Sequence, residues 1–134
     1  MTGICLVAGL LVAQFGDRVT LRWTHSIEKI VWEEDYRREG AALWLVEARV
    51  RGTGAGMEPP AGAVLRDGAW HYVPALPPLP RIALRHSSYV KPYEICGNGD
   101  CRAITEWLPG LPVEATLELA PCSDAGPGIG NGRK

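Results

Sequence analysis

The chain has 134 residues, 46% of them hydrophobic and 22% charged, with 14 Lys plus Arg against 15 Asp plus Glu. That size and composition describe one globular domain and exclude a disordered chain, a coiled coil and a polytopic membrane protein. A formal net charge of −1 argues against binding nucleic acid by phosphate neutralisation and against a polybasic route to an anionic membrane.

The first apolar run, Ile4–Ala13, is too short to span a bilayer as a helix. It lacks the preceding basic residues and the small-x-small site of a signal peptide, so it reads as two short buried strands, Ile4–Ala8 and Leu10–Gln14, around Gly9. Strict alternation follows. In Arg18–Ile27, Val19, Leu21, Trp23, His25 and Ile27 fall on one side and Arg18, Thr20, Arg22, Thr24 and Ser26 on the other, a half-buried strand. Ile30–Arg38 sets Ile30, Trp32 and Tyr36 against Glu33, Asp35 and Arg37. Ala42–Arg51 sets Trp44, Val46, Ala48 and Val50 against Glu47, Arg49 and Arg51. After the glycine-rich segment Gly52–Gly62, Ala63–Arg66 and Ala69–Val73 flank Asp67-Gly68, a type I′ hairpin signal. Leu76–Pro80 (LPPLP) cannot lie inside a sheet. Arg81–His86, Tyr93–Cys96, Cys101–Thr105 and Val113–Leu119 supply further strands. No stretch holds a helical period with caps. The expectation is all-β: an antiparallel sandwich or partly open barrel of about nine or ten short strands, occupying residues 1–120. Residues 121–134, rich in Gly and Pro, are expected to form a flexible tail.

Four cysteines occur. With a two-residue turn at Asn98-Gly99, Cys96 faces Cys101 across the hairpin at a spacing that suits a disulfide in an oxidising compartment. A Cys-x4-Cys metal site, which has no further ligands nearby, and a pair of free thiols remain the alternatives. Cys5 and Cys122 lie near opposite ends; a link between them is left open, with no support in the sequence.

The candidate chemistry centres on His25 and Glu34. A two-residue turn at Glu28-Lys29 puts Ile27 opposite Ile30, His25 opposite Trp32, Trp23 opposite Glu34 and Leu21 opposite Tyr36. His25 and Glu34 then become diagonal neighbours on an apolar face, where charge is costly unless the two satisfy each other. The bland reading is a structural polar pair; the functional one is a small-ligand or metal-ion site. His25, His71 and His86 lie on separate strands without short ligand spacing, a weak basis for a metal centre even with Glu33 or Glu34. His25 and Ser26 point to opposite faces, and no Gly-x-Ser-x-Gly occurs, so no hydrolase is indicated. The Gly52–Pro60 segment has Pro59-Pro60 where a phosphate-binding loop needs a helix; its amides are left for an anion or a partner. Trp23, Trp32 and Trp44 are expected in the core.

Leu21–Lys29 with Trp32–Tyr36, then Gly54-Ala55-Gly56-Met57-Glu58-Pro59, Asp67–Tyr72 and the Cys96–Cys101 hairpin together resemble the bacterial domain-of-unknown-function family 1850. The resemblance spans nearly all of Cys5–Leu108. It implies an extracytoplasmic accessory or binding module, on the periplasmic or cell-surface side, linked to TAXI-type TRAP transporters, which import small organic anions. It supplies no activity, since the family has no settled one, and with no catalytic set in the sequence the chain is expected to be non-catalytic and to need no cofactor; members of the family usually carry an N-terminal signal or membrane anchor. The partners implied are transporter subunits or a small organic anion. A chain without an upstream signal would instead be cytoplasmic. Thr24, His25, Ser26, Glu28, Lys29, Glu33 and Glu34, with Gly54, Gly56, Met57 and Glu58, are the candidate ligand- or partner-binding residues; Cys96 and Cys101 are the candidate disulfide.

Overall fold

The computed structural model describes residues 2–24, 30–51 and 61–123. Among them run β1 (Ile4–Ala8), β2 (Leu11–Phe15), β3 (Arg18–Thr24), β4 (Val31–Glu39), β5 (Ala42–Arg51), β6 (Val64–Arg66), β7 (Ala69–Tyr72), β8 (Ile82–His86), β9 (Glu94–Gly97) and β10 (Asp100–Ala103), then α1 (Ile104–Trp107) and β11 (Ala115–Pro121). All pairing is antiparallel. One sheet has four strands in the order β2-β1-β11-β8, the other seven in the order β10-β9-β3-β4-β5-β7-β6. Neither closes into a barrel. The strands exceed the expected count by one, and Ile104–Trp107 coils into a helical turn where a strand was expected.

The alternation read from the sequence explains the two layers. Ile4, Leu6, Phe15, Leu84, Leu117 and Leu119 of the smaller sheet meet Val19, Leu21, Tyr36, Leu43 and Ile95 of the larger, with Ile104 and Leu108 closing the core. Each inward side chain sits two residues from the next along its strand, as the pleat demands. The initial apolar run is the β1–β2 hairpin, with Gly9 at φ 59°. Asp67-Gly68 and Asn98-Gly99 both have positive φ at both central positions, the backbone of type I′ turns. In the proline-rich crossing the Leu76 N–H donates to the Pro74 carbonyl at 3.0 Å, which leaves Leu79, between two prolines, to reach a strand. It makes a single bridge with Leu43, the two N–H groups donating at 2.7 and 2.9 Å.

Two sequence-based facings are corrected. The β4–β5 ladder shifts register between Asp35 and Tyr36, a bulge that inverts the facing of the residues before it. Leu43 is therefore buried, while Trp44, expected inside, is 38% exposed. In the β3–β4 hairpin, Trp23 lies opposite Trp32, Leu21 opposite Glu34 and Val19 opposite Tyr36. This is displaced by two residues from the register that a Glu28-Lys29 turn would impose. Neither residue favours the positive φ of a type I′ turn, and a two-residue shift keeps every side chain on its expected face.

Both disulfides are formed: Cys96–Cys101 across β9–β10, and Cys5–Cys122. The second was not legible in the sequence, because it depends on β1 pairing with β11, which sets Cys5 opposite Ala120. β11 runs through Pro121, and the Cys122 N–H donates to the Gly3 carbonyl at 3.0 Å. Pro121 and Cys122, which composition assigns to the tail, are thus joined to the sheet. Residues 124–134 lie outside the described residues.

The bridges differ in what they constrain. Cys5–Cys122 closes a separation of 117 residues and Cys96–Cys101 one of 5. On chain entropy alone the first is worth about 5 kcal/mol and the second about 2 kcal/mol. Paired Cys→Ser replacement at Cys5 and Cys122 should therefore lower urea stability by more than replacement at Cys96 and Cys101. Gly97 gives a second test. A Cβ there would lie 2.6 Å from Phe15 Cδ1, whereas one at Gly16 would meet nothing within 4 Å. Gly97→Ala should cost about 1–3 kcal/mol by overpacking, and Gly16→Ala less than about 0.5 kcal/mol, measured by the same denaturation.

Candidate functional site

Three central strands reach one rim of the larger sheet together. Thr24, the last residue of β3, pairs with Val31, the first of β4, and Val31 pairs with Arg51, the last of β5. Arg51 in turn pairs with Ala69 at the start of β7. The segments 25–29 and 52–60 join strands at these adjoining ends. The two motifs separated in sequence are thus carried by one rim. His25, Ser26, Glu28, Lys29, Gly54, Gly56, Met57 and Glu58 lie outside the described residues; Thr24, Glu33 and Glu34 lie within them.

The inner face beneath the rim is aromatic. Trp23 and Trp32 stack across the β3–β4 ladder with ring centroids 6.3 Å apart and planes 6° from parallel, and Tyr93 meets Trp23 edge-on at 5.9 Å. The row continues through Val50 to Trp70. Offset stacking and edge contacts of this kind stabilise beyond simple burial. All three tryptophans are half-buried, so each keeps some surface available.

Glu34 lies on this same inner face, between Leu21 and Ala48. The Tyr36 hydroxyl donates to its Oε1 at 2.7 Å. Burial, reinforced by the Glu34 charge, holds the Tyr36 phenol far above its ordinary range, and the same two causes raise Tyr72. Both phenols therefore stay protonated near neutrality. The register that made His25 a diagonal neighbour of Glu34 is replaced by one that sets Leu21 opposite Glu34, so the geometric basis for that pair is removed.

The outer face of the same strands holds a charge ladder, in which the sequence reading named Glu33 as a candidate binding residue but saw none of the pairings. Glu33 is only 3% exposed. Its Oε1 accepts from Arg49 Nε at 2.9 Å and Arg51 Nε at 3.0 Å, and its Oε2 accepts from Arg22 Nε at 3.0 Å. Arg49 also grips Asp35 through both terminal nitrogens at 2.7 Å and donates to Glu47 at 2.8 Å. Thr20 Oγ1 donates to Asp35 at 2.7 Å. His71 Nδ1 lies 3.0 Å from Glu47 Oε1. Burial pushes the Glu33 and Asp35 carboxyls up, but the guanidinium hydrogen bonds outweigh it and hold both below the ordinary range. Burial likewise opposes, and His71 and Arg49 overcome it, at Glu47. Alternating opposite charges on adjacent strands were the signal, but reading them as contacts requires the register. At the sheet's β6–β7 edge the ladder borders an open groove of about 380 Å³, lined by Glu47, Arg66, His71 and Tyr72 among others.

The two histidines among the described residues do not gather. His71 belongs to this ladder, and His86 is buried in the other sheet with Nδ1 unpartnered. Among the described residues no group of three or more His, Cys, Asp or Glu is placed to hold a metal ion.

Because the folded-state pKa values of Glu33 and Asp35 are lowered, their contribution is complete above the ordinary values of 4.5 and 3.8. It is lost as pH falls through the lowered ones. Glu33→Gln should cost about 2 kcal/mol at neutral pH. Its stability should also decline less than that of the parent between neutral pH and about pH 2, measured by urea unfolding across that range.

The model of the family described as Domain of unknown function (DUF1850) matches residues 19–104. No curated protein and no solved structure matches the chain. The match starts at Val19 rather than at Cys5 and takes in every strand of the seven-stranded sheet, together with both rim segments. A match over more than half the chain carries the assignment: this protein belongs to the DUF1850 family.

Proposed function

We propose that the chain is a non-catalytic, extracytoplasmic binding module serving a TAXI-type TRAP solute-uptake system, with the rim formed by the ends of β3, β4 and β5 as its binding end. The observation that carries the location is the closure of all four cysteines into two bridges. Such bonds persist in oxidising compartments and are rare where thiols are kept reduced. Among the described residues no helix is long and apolar enough to cross a membrane.

The binding role is supported by what the rim offers. The strand ends that bear segments 25–29 and 52–60 adjoin, and half-buried tryptophans, a carboxylate and two phenols lie on the inner face of the same sheet. Aromatic side chains at a partly exposed edge give large contact area at little conformational cost. On the outer face the guanidiniums are already committed to Glu33, Asp35 and Glu47, which stiffens the strands that present the loops. The link to a transporter rests on the family.

Fractionation of the native host under alkylating conditions should recover the protein outside the cytoplasm with all four thiols blocked as disulfides. Transporter subunits should co-purify with it, and Trp23→Ala with Trp32→Ala should weaken that association about tenfold or more. Recovery in the cytoplasm with free thiols would overturn the location. Failure to associate, together with unchanged solute uptake after gene deletion, would overturn the role.

A further inference from the structure

One end of the smaller sheet carries apolar side chains that the binding rim does not use. Leu10, in the turn between β1 and β2, is 87% exposed; Tyr89 and Val90, after β8, are 89% and 49% exposed; Val113, ahead of β11, is 71% exposed. The registers place them together. Ala8 pairs with Leu11, so Leu10 is at the hairpin tip. Val7 pairs with Glu118, so that tip lies level with the start of β11. Ala115 pairs with His86, so the connections on either side of that pair leave the sheet at the same end. Three separate tips from a sheet ordered β2-β1-β11-β8 thus lie at one end of it, each with an exposed apolar side chain. Single surface apolar residues are ordinary, but a grouped set marks an interaction site.

We propose that this end is a membrane-contact surface, where Leu10, Tyr89, Val90 and Val113 enter the outer layer of a lipid bilayer. Shape favours lipid over protein. A protein partner needs a broad, closely packed patch with a polar rim, whereas a bilayer accepts separate protruding tips. Tyr89 suits the headgroup boundary, its ring apolar and its hydroxyl wet. Charge agrees. Glu114, in the connection ahead of β11, is engaged by Arg85 at 3.0 Å, and Lys91, in the connection after β8, is exposed. The tips are also shaped in advance. The Tyr89 N–H donates to Ser87 Oγ at 3.3 Å, and Pro92 and Pro112 stiffen the two longer connections. The contact is a reversible one made by apolar insertion with one supporting cation. It therefore does not need the polybasic cluster that the composition excludes.

The full chain with both disulfides intact provides the test, by sedimentation with phosphatidylcholine vesicles and with vesicles part-substituted by phosphatidylglycerol. The wild type should co-sediment, more strongly with the anionic vesicles, and Leu10→Asp combined with Tyr89→Asp should lower the partition coefficient at least tenfold. Leu10→Trp gives an independent reading in an otherwise native chain: its added fluorescence should shift to the blue when vesicles are present. Absence of co-sedimentation with either vesicle, sedimentation of the protein without vesicles, or no fluorescence shift would each overturn the proposal. None of these readings depends on the transporter.

Discussion

Glu33 carries the constraint on which the larger sheet depends. A carboxylate at 3% exposure is tolerated only because guanidinium groups from β3 and β5 close on both its oxygens. Moving either neighbour by one residue would turn Arg22 or Arg49 to the opposite face and leave a buried charge unpaired, a large penalty. Many registers could satisfy an apolar alternation. Far fewer also bring Arg22, Arg49 and Arg51 to one carboxylate while Arg49 holds Asp35 and Glu47. The ladder therefore selects among pairings more than it adds net stability, since desolvation consumes much of the attraction.

The register so chosen places the rim. With Thr24, Val31 and Arg51 in one row, the segments 25–29 and 52–60 spring from adjoining strand ends, and Trp23 stacks on Trp32 directly below them. Chemistry is divided between the faces. The outer one is polar and internally neutralised, while the inner one is aromatic and carries Glu34 with its Tyr36 donor. The smaller sheet is tied on from outside this system. Cys5–Cys122 joins its first and last strands, and Arg38 of β4 donates to the Gly3 carbonyl at 2.7 Å and the Cys122 carbonyl at 3.2 Å. One arginine of the large sheet thereby holds both ends of the small sheet's covalent loop.

What could be read from the sequence follows the range of the physics involved. Period-two alternation in Arg18–Thr24 and Val31–Glu39, and the Asp67-Gly68 and Asn98-Gly99 turns, are decided within a few residues, so the all-β class, the hairpins and the Cys96–Cys101 pairing were legible. Trp44 was misplaced because a bulge is a two-strand event, and no local pattern in Ala42–Arg51 announces it. The Cys5–Cys122 bridge and the β1–β11 pairing join opposite ends of the chain, which no local signal reports. The candidate site was legible as motifs but not as a place. Glu34 lies on the apolar face assigned to it, yet its cross-strand partner waited on a register that differed by two residues. The charge ladder was missed for the same reason: its residues are unremarkable singly and meaningful only when paired across strands.

The central claim is that Glu33 acts as a shared anchor for β3, β4 and β5 rather than as an isolated surface acid. A double-mutant cycle between Glu33→Gln and Arg49→Gln, read by equilibrium unfolding at neutral pH, tests this most directly. The account predicts that the two losses are strongly non-additive, with a coupling of about 1–3 kcal/mol. Additive losses within about 0.3 kcal/mol would contradict it, because the carboxylate and the guanidinium would then be acting independently, and the register would have to be set by the apolar face alone.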